Sequence, residues 1–454
     1  MNRSAATAKP GGGGSSPTKV VTASLIGTAM EWYDFFLFGT MTAIALAPLF
    51  FPDVNPTTSL ISAFLSFAAA FVARPIGAVI FGHFGDRLGR RGALIVTVLL
   101  MGLASTLIGA LPTYETAGIL APILLTALRV LQGIATGGEW GGATLMAMEY
   151  VEPRRKPLMA SIVQVGSPIG TLLSTGAVAA VSLLSGEEFL TWGWRLPFLA
   201  SILLVAVAVW IRVSIEETPE FVASVKSEGV ARMPAWELIT LAPGRTLTGV
   251  AAYLVGNAGF FLFTTFMISY VTLTLGLPRD VILTGLTWGA VAEIVVVLFA
   301  GWLGTRIGPI RVALIGYVLF VLCVFPIFWL VDSRNPGAII WAMILALGVG
   351  SLAYGVIGAV LDKLFPVHLK YSGLALSGNL SAIIAGFMPV LATIVLGASG
   401  NASWGPALLA LAIGITSVVG VLVTMRYVRR DAERGIESAV PVAHHDPTAE
   451  AGRP

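Results

Sequence analysis

Apolar runs long enough to cross a bilayer follow one another along almost the whole chain, and that succession leaves few folds open. A spanning helix needs about 20 mostly apolar residues, and inside lipid every backbone N–H and C=O must be satisfied within the protein, so such runs become helices. Hydrophobic residues make up 56% of the 454 and charged residues only 11%, against about 25% charged in soluble domains. The runs are 20–49, 57–81, 92–111, 118–147, 158–184, 193–213, 246–275, 281–304, 312–331, 338–361, 372–396 and 404–427. They predict an all-α integral membrane protein of twelve transmembrane helices.

Charge placement orients the bundle. Residues 1–19 are rich in Gly, Ser, Ala and Pro and lack a short apolar core with a cleavage site, so they read as a disordered cytoplasmic arm and not a cleaved signal. With both termini inside, the outward loops hold only Arg195, Arg279 and Arg334, while Arg74 and Arg129 fall within spans. Every other lysine and arginine is then cytoplasmic, as the positive-inside rule requires. The net charge of +3 is spread over these loops with no basic patch, which argues against nucleic acid. The lone Cys323 allows no internal disulfide and no thiolate metal site, and neither a metal nor a cofactor is expected.

The chain repeats itself. Gly82, Gly85, Arg87 and Gly89 recur as Gly301, Gly304, Arg306 and Gly308 at one constant offset, each set just after a span. Two six-helix halves in parallel orientation, 20–213 and 246–427, are therefore expected, joined by a polar cytoplasmic linker 214–245 and followed by a cytoplasmic tail 428–454. Parallel halves related by an axis along the membrane normal place a substrate site at mid-membrane between them.

Gly82, Gly85, Asp86, Arg87, Gly89, Arg90 and Arg91 match the loop signature of the major facilitator superfamily, which the chain resembles. Further motifs narrow the resemblance to its metabolite:proton symporter family: Glu31 to Phe35, Arg74 to Gly77, Arg129 to Gly133, Gly137 to Gly142, Glu217 to Phe221, Leu364 to Pro366 and Tyr371 to Gly373. The resemblance implies the major facilitator fold and a proton-driven importer in the bacterial cytoplasmic membrane, for oxo- and dicarboxylates, citrate, shikimate, aromatic acids or betaines. The second loop departs from the signature, with Thr305 in the place of Asp86 and Pro309-Ile310 in that of Arg90-Arg91. Asp86, Arg87, Arg90 and Arg91, with their glycines and Arg306, read as a gate that ion-pairs across the helix ends until the halves rock. The positive-inside rule accounts for these arginines too, but not for Asp86 or the glycines.

Charges inside the spans are costly and mark function. Glu31 and Asp34 lie about 11 and 14 residues into the first span, Arg129 about 11 into the fourth and Arg74 about 17 into the second, all near mid-membrane at about 1.5 Å per residue. Two acids and two arginines can thus share one layer. Arg129 and Arg74 are the candidate anion ligands, with Tyr33, Gln132, Asn257 and Asn379 as hydrogen-bonding partners. Asp34, Glu31, Glu139 and Glu293 are the candidate proton carriers, since no histidine falls within a span. A substrate carboxylate that takes the arginine from an acid turns that acid into a proton acceptor. The competing reading is a structural ion pair that only neutralises itself. For Glu293, alone in the C-terminal half, a permanently neutral carboxyl and a second coupling site both stand. Tyr253, Tyr270 and Tyr354 are further hydrogen-bonding candidates, Asp362 and Lys363 are gate or surface charges, and the ladder Gly133, Gly137, Gly141 reads as close helix packing.

The expectation is a proton-coupled symporter that imports a small organic anion, such as a mono- or dicarboxylate, by alternating access as a monomer. A zwitterionic osmolyte symporter of the betaine or proline kind, and a drug or metabolite exporter, are the alternatives. An enzyme is not expected, because no metal or nucleophile motif is present.

Overall fold

The computed structural model describes residues 17–52, 55–88, 90–137, 144, 148, 151–184, 186–213, 242–366 and 369–434. Among them nine helices are long and apolar enough to cross a membrane, one further span is a pair bent by 45° near Gly193, and two shorter apolar helices are Ile95–Ala110 and Leu120–Thr136. Together they form the two six-helix halves.

Helix α1 is Pro17–Met41, continued through a π turn, Thr42–Leu46, to Phe50. Then come α2 (Pro56–Leu88), α3 (Arg90–Ala110), α4 (Leu120–Thr136), α5 (Lys156–Gln164 and Gly166–Val181) and α6 (Arg195–Val213). The second half holds α7 (Pro243–Leu254, running on to Thr274), α8 (Arg279–Ile307), α9 (Pro309–Asp332), α10 (Pro336–Tyr354 and Ile357–Leu364), α11 (Lys370–Ala398) and α12 (Trp404–Glu433).

Two details differ from the expectation. The stretch read as a loop after the second span is helical through Leu88, because intrahelical hydrogen bonding does not stop where the apolar run stops. The corresponding stretch in the second half is likewise helix to Ile307 and ends at Gly308, whose φ of 90° lets the chain turn into Pro309. The fourth predicted span runs past Thr136, and its continuation, with Glu139 and Gly141, lies outside the described residues, as do Gly89 and most of the linker and tail. The side chains of Gly82 to Arg91 are outside them as well.

Within the first half α2 packs on α4 with no room for a side chain between them. A Cβ added to Gly133 would stand 1.9 Å from the Ala70 carbonyl oxygen, and one on Gly137 2.0 Å from that of Arg74. The glycine ladder is thus a packing surface, at least over its first two members, and it fixes how far Arg74 stands from α4.

Between the halves, α5 lies on α8 and α2 on α11. Phe35, Phe67, Phe71 and Phe261 form a tilted aromatic layer across the junction, with centroid distances of 4.8 to 5.3 Å. At the end that bears the α2–α3 turn, Lys156 of α5 reaches Asp362 of α10 at 3.2 Å. At the opposite end Arg279 donates to the Ser182 carbonyl at 3.3 Å and lies over the Phe189 ring at 4.2 Å. Contacts between the halves therefore exist at both ends.

Candidate functional site

The four intramembrane charges of the first half do not gather into one site. Arg74 Nη2 meets Glu31 Oε1 at 2.5 Å, with both side chains nearly shut away from solvent. The Arg74 guanidinium also lies over the Phe35 and Phe71 rings, at 4.5 and 5.1 Å, a favourable placement for a cation in a dry interior.

The Phe35 ring separates the two arginines, and Asp34, on a neighbouring face of α1, bonds to other partners. Its Oδ2 accepts from the Ser105 hydroxyl of α3 and from Gln132 Nε2 of α4 at 3.3 Å. Gln132 also donates to Ser105 at 2.6 Å and accepts from Arg129 Nη1 at 2.8 Å. Arg129 is completely buried, its guanidinium 4.1 Å from the Phe38 ring centroid. Gln132 thus links the arginine to the acid, and all four polar groups lie inside the N-terminal half.

Only the Arg74–Glu31 pair faces the space between the halves. That cavity, with an empty volume of about 400 Å³, is lined by Glu31, Trp32, Arg74, Thr136 and Gly137 from the first half and by Tyr253, Asn257, Ala375, Gly378 and Asn379 from the second. Asn379 Nδ2 donates across the junction to the Gly137 carbonyl at 2.9 Å, and Asn257 Nδ2 to Ser381 at 3.3 Å. The amides and Thr136 surround one cation and one acid. Asn257 sits in a π turn, Val255–Gly259, a break in α7 of the kind frequent at functional sites.

Of the expected substrate ligands, Arg74, Asn257 and Asn379 line the cavity, while Arg129, Gln132 and Tyr33 do not. The Tyr33 hydroxyl donates to the Pro197 carbonyl at 2.8 Å within the first half. Trp32, Thr136 and Gly137 line it without having been singled out as ligands. The signal for Trp32 was its place beside Glu31; none in the sequence marked Thr136. Glu293 is buried in the C-terminal half in a different cavity. Arg306 is exposed and lies over Trp302, one turn back on its own helix, at 5.4 Å. Asp362, by contrast, meets both Lys156 and, at 2.9 Å, Lys370.

Two parallel helical bundles closing on a cavity between them define a multi-pass membrane transporter. A model of the Major Facilitator Superfamily matches residues 25–389, and the chain belongs to that superfamily, among its metabolite transporters. It is 38% identical over 375 residues to the inner membrane metabolite transport protein YhjE of Escherichia coli K12, covering 81% of this chain and 85% of that one. It is 38% identical over 382 residues to the shikimate transporter of the same organism, with 82% and 86% covered. A proline/betaine transporter of Escherichia coli K12 is 32% identical over 435 residues, 94% of this chain and 86% of that one. The crystal structure of a D-xylose-proton symporter superposes with a TM-score of 0.70 at 15% identity, over 91% of this chain and 98% of that one, a likeness of fold.

Proposed function

We propose that this protein imports a small organic anion, a monocarboxylate by preference, together with protons. The observation that carries this reading is the one cation among the described residues that line the inter-half cavity, Arg74, paired there with the acid Glu31. An incoming carboxylate competes with Glu31 for Arg74, and Glu31, once released, takes up a proton. The cavity then holds Arg74, the substrate carboxylate and a neutral Glu31, the same net charge as before. A second carboxylate would find no further cation among the lining residues. Asp34, held by Ser105 and Gln132 with Arg129 behind, controls when Glu31 takes its proton, through the position of α1 against α3 and α4. Asn257, Asn379 and Thr136 bond the neutral part of the cargo. The relative named a shikimate transporter supports an acid as cargo.

The site alternates between the two sides as the halves rock. Both termini lie in the cytoplasm of a bacterium, and Gly82, Asp86, Arg87, Gly89, Arg90, Arg91 and Arg306 belong to the cytoplasmic gate, with Lys156 and Asp362 as its latch between halves. A second reading, a zwitterionic cargo, has support in the proline/betaine relative and in the Trp32 and Tyr253 rings beside Glu31, which offer a cation two π faces.

Proteoliposomes offered labelled lactate, shikimate, succinate and glycine betaine separate these readings. The account predicts uptake of a monocarboxylate driven by an acidic exterior, and a Glu31→Gln variant that exchanges this acid across the membrane but no longer accumulates it against a gradient. Uptake of glycine betaine alone, indifferent to the pH gradient, would replace the first reading with the second.

A further inference from the structure

Glu293 lies in the middle of α8 with 1% of its surface exposed, and neither carboxyl oxygen has a hydrogen-bond partner among the described residues. Its cavity has an empty volume of about 290 Å³ and is walled by the π turn of α7 at Val255 and Gly256 and by Ser351 and Tyr354 of α10. No lysine or arginine lines it. Ser351 gives its hydroxyl proton to the Leu347 carbonyl at 2.6 Å, while the Tyr354 hydroxyl, also buried, has no partner by the same geometry. A carboxyl and a phenol that no described group meets with full hydrogen-bond geometry thus line one space, with Ser351 near the first and Ser167 near the second. A permanent charge there is expensive and a polar group without a bond costs as well, so the space is built for an occupant that bonds both.

The elements packed on α8 bring little other charge to its middle. From α7 comes Tyr253, from α10 Tyr354, from α9 Tyr317, whose hydroxyl donates to the Ala252 carbonyl, and from α5 no titratable group. The arginines, lysines and acids of these helices lie near their ends. The site nevertheless adjoins the substrate cavity: Tyr253, on the wall of that cavity, stacks on Tyr354 at 6.3 Å, and a Cβ added to Gly256 would stand 3.0 Å from each ring.

We propose that the Glu293 cavity is a second proton site, where the carboxyl and a water bonded to Tyr354 take up and release one proton per transport cycle in step with the movement of Tyr253. The proposal rests on the monocarboxylate–proton reading above. One proton with a monocarboxylate moves no net charge, whereas two move one positive charge inward. Transport then responds to the membrane potential, by about 40-fold in accumulation per 100 mV for one charge.

Two measurements on the full chain in lipid test this. Infrared difference spectra between acid and alkaline buffer, without substrate, are expected to show a protonated-carboxyl band that is lost in Glu293→Gln and kept in Asp34→Asn. A spectrum identical in wild type and Glu293→Gln overturns the site. In proteoliposomes given an inside-negative potassium diffusion potential, the monocarboxylate of the uptake panel is expected to accumulate in the wild type. In Glu293→Gln only the response to a pH gradient should survive. A wild type indifferent to potential, or a variant that still responds to it, overturns the coupling role. Absence of carboxylate uptake together with a Glu293 band that titrates would instead strike the cargo reading and leave the proton site standing.

Discussion

Arg74 and Arg129 carry the same charge at comparable depth, yet their surroundings give them different work. Arg74 has one acid as partner and faces the cavity, so a substrate can take the place of Glu31. Arg129 is enclosed by Phe35, Phe38 and Phe67 and bonded to Gln132, with no access to the cavity. Removing one partner of a buried charge network costs about 3 to 5 kcal/mol. Arg129→Gln and Arg74→Gln are therefore both expected to lower the thermal midpoint of the purified protein, and Arg74→Lys, which keeps a cation beside Glu31, to stay folded while weakening carboxylate binding. Carboxylate binding unchanged in Arg74→Lys would remove Arg74 as the anion ligand. The sequence showed that these charges matter, because charged groups in a membrane interior are rare. It did not show their pairing. Glu31 and Asp34 are three residues apart, about 60° short of a full turn, and that offset sends one acid to the junction of the halves and the other towards α3 and α4.

At the level of helices, close approach is set by glycine. The contact of α2 with α4 at Gly133 leaves no space for a methyl group, and overpacking of this kind costs about 1 to 3 kcal/mol and sometimes more. A Gly133→Val variant should unfold at lower temperature and lose transport, since Arg74 rides on the facing helix α2; a stable, active variant would show that α2 can withdraw from α4 without consequence. This spacing was legible, because small residues four apart are a packing signature. The π turns of α7 were not. Val255 to Gly259 carries two glycines and an asparagine, which weaken a helix without saying how, and only tertiary packing decides that its hydrogen bonds widen around Asn257.

The whole molecule closes on its cavity from both ends, with Lys156–Asp362 at one and Arg279–Ser182 at the other. The repeat and the apolar runs made the two-half architecture readable before any coordinates. The proposed latch is only half legible in the sequence: Asp362 stands as a charge at a helix end, but its partner sits 206 residues away and no local pattern connects them. Asp362→Asn leaves Lys156 and Lys370 without their acid, so the basic end should open more often. Spin labels on α5 and α10 of a Cys323→Ser background should then report longer distances than in the parent, and an unchanged distribution would remove Asp362 from the gate. Arg279 at the other end is left in place by this change and serves as the internal reference.

The central claim is that substrate and proton cross together. The direct measurement is pH inside de-energised proteoliposomes as the monocarboxylate identified by uptake is added outside. The account predicts acidification of the lumen with the entry of that acid, lost in Asp34→Asn, while empty liposomes show only the slow leak of the free acid. Entry of the same label into wild-type vesicles with no movement of protons would contradict it.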